Sequence, residues 1–285
     1  MNRREFLENT AKAIIPTTGI LLAASHPTLA KALEQVDLDD QPAPHQDKTP
    51  FKFEGFNERV QAYIVARYYV RLTDTYGKQG LDTFLLATRT YAEQRGHRMA
   101  QRALADGQEL NYVTYYKYGE WVPSEEIKKR GEALQSEPIK DISYQATKIT
   151  RCPWAIQFRE MGLSKAGLAY CKDLDASIYR GFNPAIAYET RQTLNDHDYC
   201  VQCAPGTRVP DEALTCPKYK KGLRSFEYHC AHTYWTFRQV ISSVFGNNGV
   251  TIAKGVLSDV EQDLGKKFVT TLKKYKKTDF NVANI

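Results

Sequence analysis

The sequence predicts an α+β protein, a small and mostly antiparallel sheet covered by helices, with a helical hairpin near each end of the folded region. Two observations carry this. Tyr76-Gly77-Lys78-Gln79-Gly80 followed by Gly96 recurs as Phe245-Gly246-Asn247-Asn248-Gly249 followed by Gly265, with identical glycine spacing and a constant offset of 169 residues. Between the two copies the hydrophobic period changes from helical to alternating, and Gly and Pro punctuate the chain.

The elements follow in order. Residues 60–75 and 229–244 have helical periodicity and lead into the first glycine of each copy, and another helical pattern fills the interval to the third glycine. Each unit reads as a hairpin whose glycines make the turn and a close contact or cap, the two together forming an internal repeat. No strand precedes these glycines, so they are not read as a phosphate loop. Residues 112–118 form an aromatic, β-prone run. Residues 142–147, 185–193 and 199–203 alternate and are bounded by turns at Asn183-Pro184 and Pro205-Gly206, which supplies three or four short strands. Pro153 suits the first turn of a helix ending near Gly162, and a second helix is expected from Ser164 to Tyr179, before Gly181.

Ahead of all this, Asn2-Arg3-Arg4-Glu5-Phe6-Leu7 precedes a short apolar stretch and small residues. That is the pattern of a twin-arginine signal over residues 1–32, which implies the twin-arginine translocation machinery as a partner and a periplasmic destination. Residues 33–52 are rich in Asp and Pro without periodicity and read as a linker. Residues 53–285 read as a single domain, in which 205–228 form a loop or lid insertion. The apolar content of 42% suffices for a core. The formal charge of +6 drops to about +4 without residues 1–32, and the basic residues are interspersed with acids, which argues against nucleic acid as a partner. No later apolar run reaches spanning length, so no stable membrane span is expected after processing.

Six cysteines concentrate the chemistry. Cys152-Pro153, Gly162, Gly167, Tyr170-Cys171, Asp175, Phe182-Asn183-Pro184, Thr193-Leu194 and Asp198-Tyr199-Cys200 together resemble the L-2-amino-thiazoline-4-carboxylic acid hydrolase family. The likeness covers roughly residues 70–204 and departs from the family pattern at His197 and at Gln202-Cys203. A weaker, fold-level likeness is to the 4-vinyl-reductase small-ligand-binding domain. The first resemblance implies hydrolytic opening of a small cyclic amidine or amide bearing a carboxylate, giving a carbamoyl-cysteine-like product. Such a reaction needs a nucleophile, a proton donor for the leaving ring nitrogen and a carboxylate-binding group. Cys152 is the nucleophile candidate, because a helix N-terminus lowers a thiol pKa. Cys171 and Asp175 stand one helical turn apart, Asp198 and Cys200 share a strand face, and either acid is a candidate acid or base. Arg180 and Asn183 are candidate substrate-positioning groups.

Two other readings of the thiols stay open. Cys200, Cys203, Cys216, His229, Cys230 and His232 are candidate metal ligands, with zinc or iron the metals such donors suit, although the hydrolase reading requires no cofactor. In an oxidising compartment, Cys203–Cys216 or Cys216–Cys230 are the expected disulfides. The function alternative is an exported, non-catalytic small-ligand or metal-binding accessory protein, partnered with a periplasmic redox enzyme. Lys218, Lys220, Lys221 and Arg224 make the 205–228 loop basic, which suits an anionic substrate.

Overall fold

The structure, a computed structural model, describes residues 52–140 and 142–283. The signal expected at 1–32 and all of the linker but Lys52 lie outside the described residues. What is described is α+β, as the sequence predicts. No helix among the described residues is long and apolar enough to cross a membrane.

Helix α1 (Glu58–Ala105) starts where Asn57 Oδ1 accepts the Val60 amide, and it runs for 48 residues with a single break. At Gly77, φ 52° and ψ −126° turn the chain back on itself, so residues 58–76 and 78–105 form two antiparallel arms. Gln61 Nε2 therefore reaches the Tyr91 hydroxyl at 2.7 Å. On a straight helix those residues would stand roughly 45 Å apart. Helices α6 (Phe226–Phe245) and α7 (Asn247–Leu264) repeat the device around Gly246, at φ 57° and ψ −131°.

The repeat is geometric as well as sequential. A Cβ on Gly80 would lie 2.0 Å from the Leu72 carbonyl oxygen, and one on Gly249 would lie 2.3 Å from that of Ile241; both members of each pair are 169 residues apart. Equivalent rings meet each other: Tyr76 stacks on Phe245 with centroids 3.9 Å apart, and Tyr68 packs against Phe237 at 5.2 Å. Contact between like positions is the signature of a local pseudo-two-fold. The third glycines diverge. Gly265, at φ 103°, separates α7 from α8 (Lys266–Lys274), whereas Gly96 lies at a helix crossing.

Between the hairpins come α2 (Tyr112–Tyr118), α3 (Glu125–Lys129), β1 (Gln135–Pro138), β2 (Gln145–Arg151), α4 (Pro153–Glu160), α5 (Ser164–Phe182), β3 (Glu189–Gln192) and β4 (Cys200–Ala204). The strands pair antiparallel in the order β1-β2-β4-β3. The run at 112–118, expected as a strand, is a helix. Asn111 caps it by accepting the Thr114 amide at 2.9 Å, and Tyr112 and Tyr115, three apart, both stack on Tyr179 of α5. Aromatic content suggested β structure, and the cap and the three-residue spacing decided for helix. Strand β1, whose four residues are all exposed, has no apolar alternation to announce it.

Helix α1 is the spine, packed against α4, α5, α6 and α7. At its crossing with α5, a Cβ on Gly96 would lie 2.1 Å from the Ile178 carbonyl oxygen, and one on Gly181 would lie 2.3 Å from that of Glu93. The 205–225 segment contains two 3-10 turns, Asp211–Thr215 and Lys220–Gly222. It is tied to α2 and the residues after it, because Tyr219 N donates to Lys117 O at 2.8 Å and Arg224 N to Glu120 O at 2.7 Å.

Gly80→Ala and Gly249→Ala should each destabilise the fold by about 2–4 kcal/mol, since a methyl placed against a backbone carbonyl forces the arms apart. Denaturant unfolding checks this, and an effect below about 0.5 kcal/mol in either variant would contradict the close approach.

Candidate active site

Cys152 occupies the residue before α4, in extended conformation, with Pro153 opening the helix. It packs with Leu134 against a buried cluster of Ile149, Ala155, Leu194 and Cys200. Burial pushes its thiol up to about 12. The amides of Ala155 and Trp154 at the helix start pull the other way, while Cys200 and Asp175 add to the rise. The expectation that the helix N-terminus would leave a low-pKa thiol is thus corrected: desolvation outweighs the helix end.

The structure brings two more thiols to the same place. Leu194 N donates to Cys200 Sγ at 3.0 Å, and burial holds the Cys200 thiol up at about 11, with Asp175 and Asp196 contributing. Asn195 Nδ2 approaches Cys171 Sγ at 3.6 Å. Cys171 is raised well above its ordinary value by burial, with Cys152, Cys200 and Asp175 as further causes. The 193–196 turn is held by Asp196 Oδ1, which accepts from Thr193 N and Oγ1 at 3.0 and 2.6 Å. It seats against α5 at Gly167, where a Cβ would lie 2.1 Å from Asn195 Oδ1. Gly167 and Thr193-Leu194 thus position sulfurs.

Asp175 stands on the Cys171 face of α5. Burial raises its carboxyl pKa, while Arg95 and Gln202 oppose the rise. Gln202 Nε2 donates to Asp175 Oδ2, and the Tyr188 hydroxyl donates to Gln202 Oε1 at 3.0 Å. Arg95, Tyr115, Cys152, Cys171, Asp175 and Tyr188 are surrounded by protein on all sides, yet each retains accessible surface. The groups that feel one another's charge here are three thiols, one acid, one guanidinium and stacked tyrosines.

Other candidates lie elsewhere. Asp198 is exposed, and β4 begins only at Cys200, so no strand face joins them; the acids that Cys200 feels are Asp175 and Asp196. Arg180 is held by Asp173 at 3.2 Å and Glu93 at 3.4 Å, flanking the α1–α5 crossing. Asn183 forms a turn, donating to Leu110 O at 2.6 Å and accepting the Ala185 amide at 3.0 Å. The candidate metal ligands are scattered. Cys200 and Cys203, an odd number of residues apart on a strand, point to opposite faces, and Cys203 Sγ donates to Glu189 Oε1 at 3.3 Å. Cys230 Sγ lies 3.9 Å from Asn57 O, His229 Nε2 3.3 Å from Glu120 O and His232 Nε2 2.8 Å from Gln94 Oε1. No group of three or more His, Cys, Asp or Glu among the described residues is arranged to hold a metal ion. The expected disulfides are absent too, since all six cysteines are free, and Cys216 lies half-buried in the loop.

Arg95, Tyr188 and Gln202 belong to the site without any motif to announce them. The signal for Arg95 was periodic: Tyr91, Arg95, Arg98 and Arg102 fall on one face of the second arm. Arg98 and Arg102 serve a separate purpose. Both bind the fully buried Glu120, Arg98 through Nε at 3.0 Å and Nη2 at 2.7 Å, Arg102 through Nη1 at 2.7 Å.

A family model described as L-2-amino-thiazoline-4-carboxylic acid hydrolase matches residues 57–202. That span takes in Arg95, Cys152, Cys171, Asp175, Cys200 and Gln202. No curated protein and no solved structure matches the chain.

The buried titratable groups next to the site set an acid limit. Burial pushes His229 down to about 3, with the nearby guanidinium of Arg95 adding to the effect, and His232 is likewise held well below its ordinary value. Burial alone would raise Glu120, but Arg98 and Arg102 outweigh it and set the carboxyl at about 2. Between pH 6.5 and 3 the unfolded chain binds protons at the two histidines that the folded chain refuses, so stability falls as pH falls through that window. The Glu120 contribution is complete above pH 4.5 and is lost toward pH 2. Unfolding free energy measured between pH 6.5 and 4.5 should decline with a slope approaching about two protons, and His229→Gln should lower that slope by about one. An unchanged slope would contradict the neutral, buried His229.

Proposed function

Because the chain belongs to the L-2-amino-thiazoline-4-carboxylic acid hydrolase family, whose match spans just over half of its 285 residues, we propose that it opens a small cyclic amidine carrying a carboxylate, by hydrolysis of a ring carbon–nitrogen bond. The observation that carries this reading is the convergence of Cys152, Cys171, Cys200 and Asp175, from three separate segments, within electrostatic reach of one another.

The reaction follows from the groups present. At rest the thiols are neutral, and Asp175 is the carboxylate that all three of them feel. A protonated cyclic amidine entering there brings a positive charge into a low-dielectric space, which lowers the cost of thiolate beside it. Asp175 takes the Cys152 proton as sulfur attacks the amidine carbon, and returns a proton to the ring nitrogen as the carbon–nitrogen bond breaks. The carbon is then held between the substrate sulfur, the Cys152 sulfur and the exocyclic nitrogen. Water adds to it, Cys152 leaves and is reprotonated, and the product is a carbamoyl thioester bearing a free amine. The sum is substrate plus one water. Cys152 is favoured among the three thiols because only its sulfur faces helix amides that oppose the rise in pKa. Cys171 and Cys200 line the same space, and Gln202, itself held by Tyr188, fixes one oxygen of Asp175. The twin-arginine pattern supports the periplasm as the place of action.

Turnover of 2-amino-thiazoline-4-carboxylate tests the reading. Cys152→Ala and Asp175→Asn should each reduce kcat/KM by at least about 100-fold, the range that loss of an acid–base or nucleophilic group produces, while Cys203→Ala leaves it within about twofold. Full turnover by Cys152→Ala would remove that sulfur from the chemistry. Binding without turnover in the unaltered protein would favour the non-catalytic ligand-binding alternative.

A further inference from the structure

Every other buried or half-buried arginine of α1 has its acid. Arg67 and Arg71 share Asp259, Arg89 holds Asp173, and Arg98 and Arg102 divide Glu120 between them. Arg95 has none. No hydrogen bond or ion pair closes on it among the described residues, and its Nε is buried without any acceptor. Leaving a guanidinium enclosed and unpaired is among the costlier arrangements a fold can retain, and such groups are ordinarily satisfied by a partner that the site itself lacks.

The surroundings of Arg95 state what that partner is. Asp175 feels its charge, yet the two form no ion pair, and Asp175 is instead held by Gln202. Glu120, the other acid in range, is saturated by Arg98 and Arg102. Tyr91 and Tyr115 are its remaining anionic-capable neighbours, and burial raises the pKa of both hydroxyls, so neither supplies a negative charge. Further cationic or basic groups press on the same region. Lys218, from the 205–225 loop, feels Arg95 and is driven down to about 8, chiefly by burial, while His229 and His232 are neutral. Beside the guanidinium rises a flat wall in which Tyr115 stacks on Tyr179 at 3.6 Å and Tyr179 on Tyr188 at 4.0 Å. The site thus has a cation without an acid of its own, a separate anion and a stack of tyrosine rings.

We infer that Arg95 is the carboxylate-reading residue of this cavity, binding the substrate carboxylate in its guanidinium fork while Asp175 faces the cationic amidine, so that the site selects small zwitterions over neutral or singly charged rings. This rests on the proposed hydrolase reading for the identity of the ring, but the selection itself is a property of binding. Arg95 is a specificity-determining residue with no part in proton transfer.

The test separates the two. In the full-length chain carrying Cys152→Ala, calorimetry measures the affinity for 2-amino-thiazoline-4-carboxylate and for its carboxamide, which keeps the ring and amidine and removes the negative charge. The carboxylate should bind about 100-fold more tightly, as loss of a charge-assisted fork implies. Adding Arg95→Gln should reduce that preference to within about threefold by weakening the acid alone, and Arg95→Lys, which keeps a point charge without the fork, should fall between. Circular dichroism establishes that each variant is folded, and if Arg95→Gln is not, the Arg95→Lys series and the parent's own preference decide. An equal preference in the parent and in Arg95→Gln, or no binding of either ligand to the parent, would overturn the assignment. A carboxylate preference that depends on Arg95, together with no turnover of either ligand by the unaltered protein with Cys152 in place, would sustain it and remove the hydrolase reading instead.

Discussion

The contact on which the site depends is the crossing of α1 and α5, where Gly96 and Gly181 each let a backbone carbonyl of the opposite helix come closer than any side chain permits. Helices normally pack 8–10 Å apart, and a crossing without Cβ atoms draws them nearer. Its flanks are fixed by Arg89 on Asp173 and by Arg180 on both Asp173 and Glu93. Arg180 therefore serves the site indirectly, as a clamp. With the helices this close, Arg95, the neighbour of Gly96, falls within electrostatic reach of Asp175. The sheet then delivers Cys152 from the end of β2 and Cys200 from the start of β4 to the same side, because Ile149 and Cys200 are directly paired in the ladder.

Burial governs the chemistry that follows. All three sulfurs are protonated at rest, and the acid among them is harder to ionise than an exposed one. A neutral resting site protects thiols from stray oxidation, since reactivity follows thiolate character. It also places the activating charge on the ligand. A cation entering beside Cys152 and Asp175 offsets the desolvation that keeps them neutral, so nucleophile and substrate arrive together. The same low dielectric that suppresses the thiolate makes the unpaired Arg95 a strong anchor.

The hairpins were legible in the sequence because a positive-φ glycine and a carbonyl-contacting glycine leave a spacing that few residues satisfy, and the 169-residue offset carries through to Gly77 with Gly246 and Gly80 with Gly249. Three of the four strands were legible through alternation and turns. Strand β1 was not, having no apolar face, and 112–118 was misread because tyrosine favours strands when its neighbours are unknown. At the site, the motif thiols and Asp175 were legible as a set, since i,i+4 spacing defines a helix face. Depth was not legible. Spacing cannot say that Asp198 is exposed, that Asn183 spends its amide on a turn, or that desolvation defeats a helix N-terminus at Cys152. Arg95 was hidden because its meaning lies in the acid it lacks, which only the packed structure reveals.

The central claim is that Cys152, Cys171 and Cys200 line one ligand-binding space, apart from the other thiols. Alkylation followed by peptide mass spectrometry, with and without saturating 2-amino-thiazoline-4-carboxylate, tests it directly. The ligand should slow modification of those three residues together, by about tenfold or more at an occupancy above nine-tenths, and leave Cys203 and Cys230 unchanged. Protection spread evenly over all six thiols, or confined to one of the three, would contradict a shared cavity.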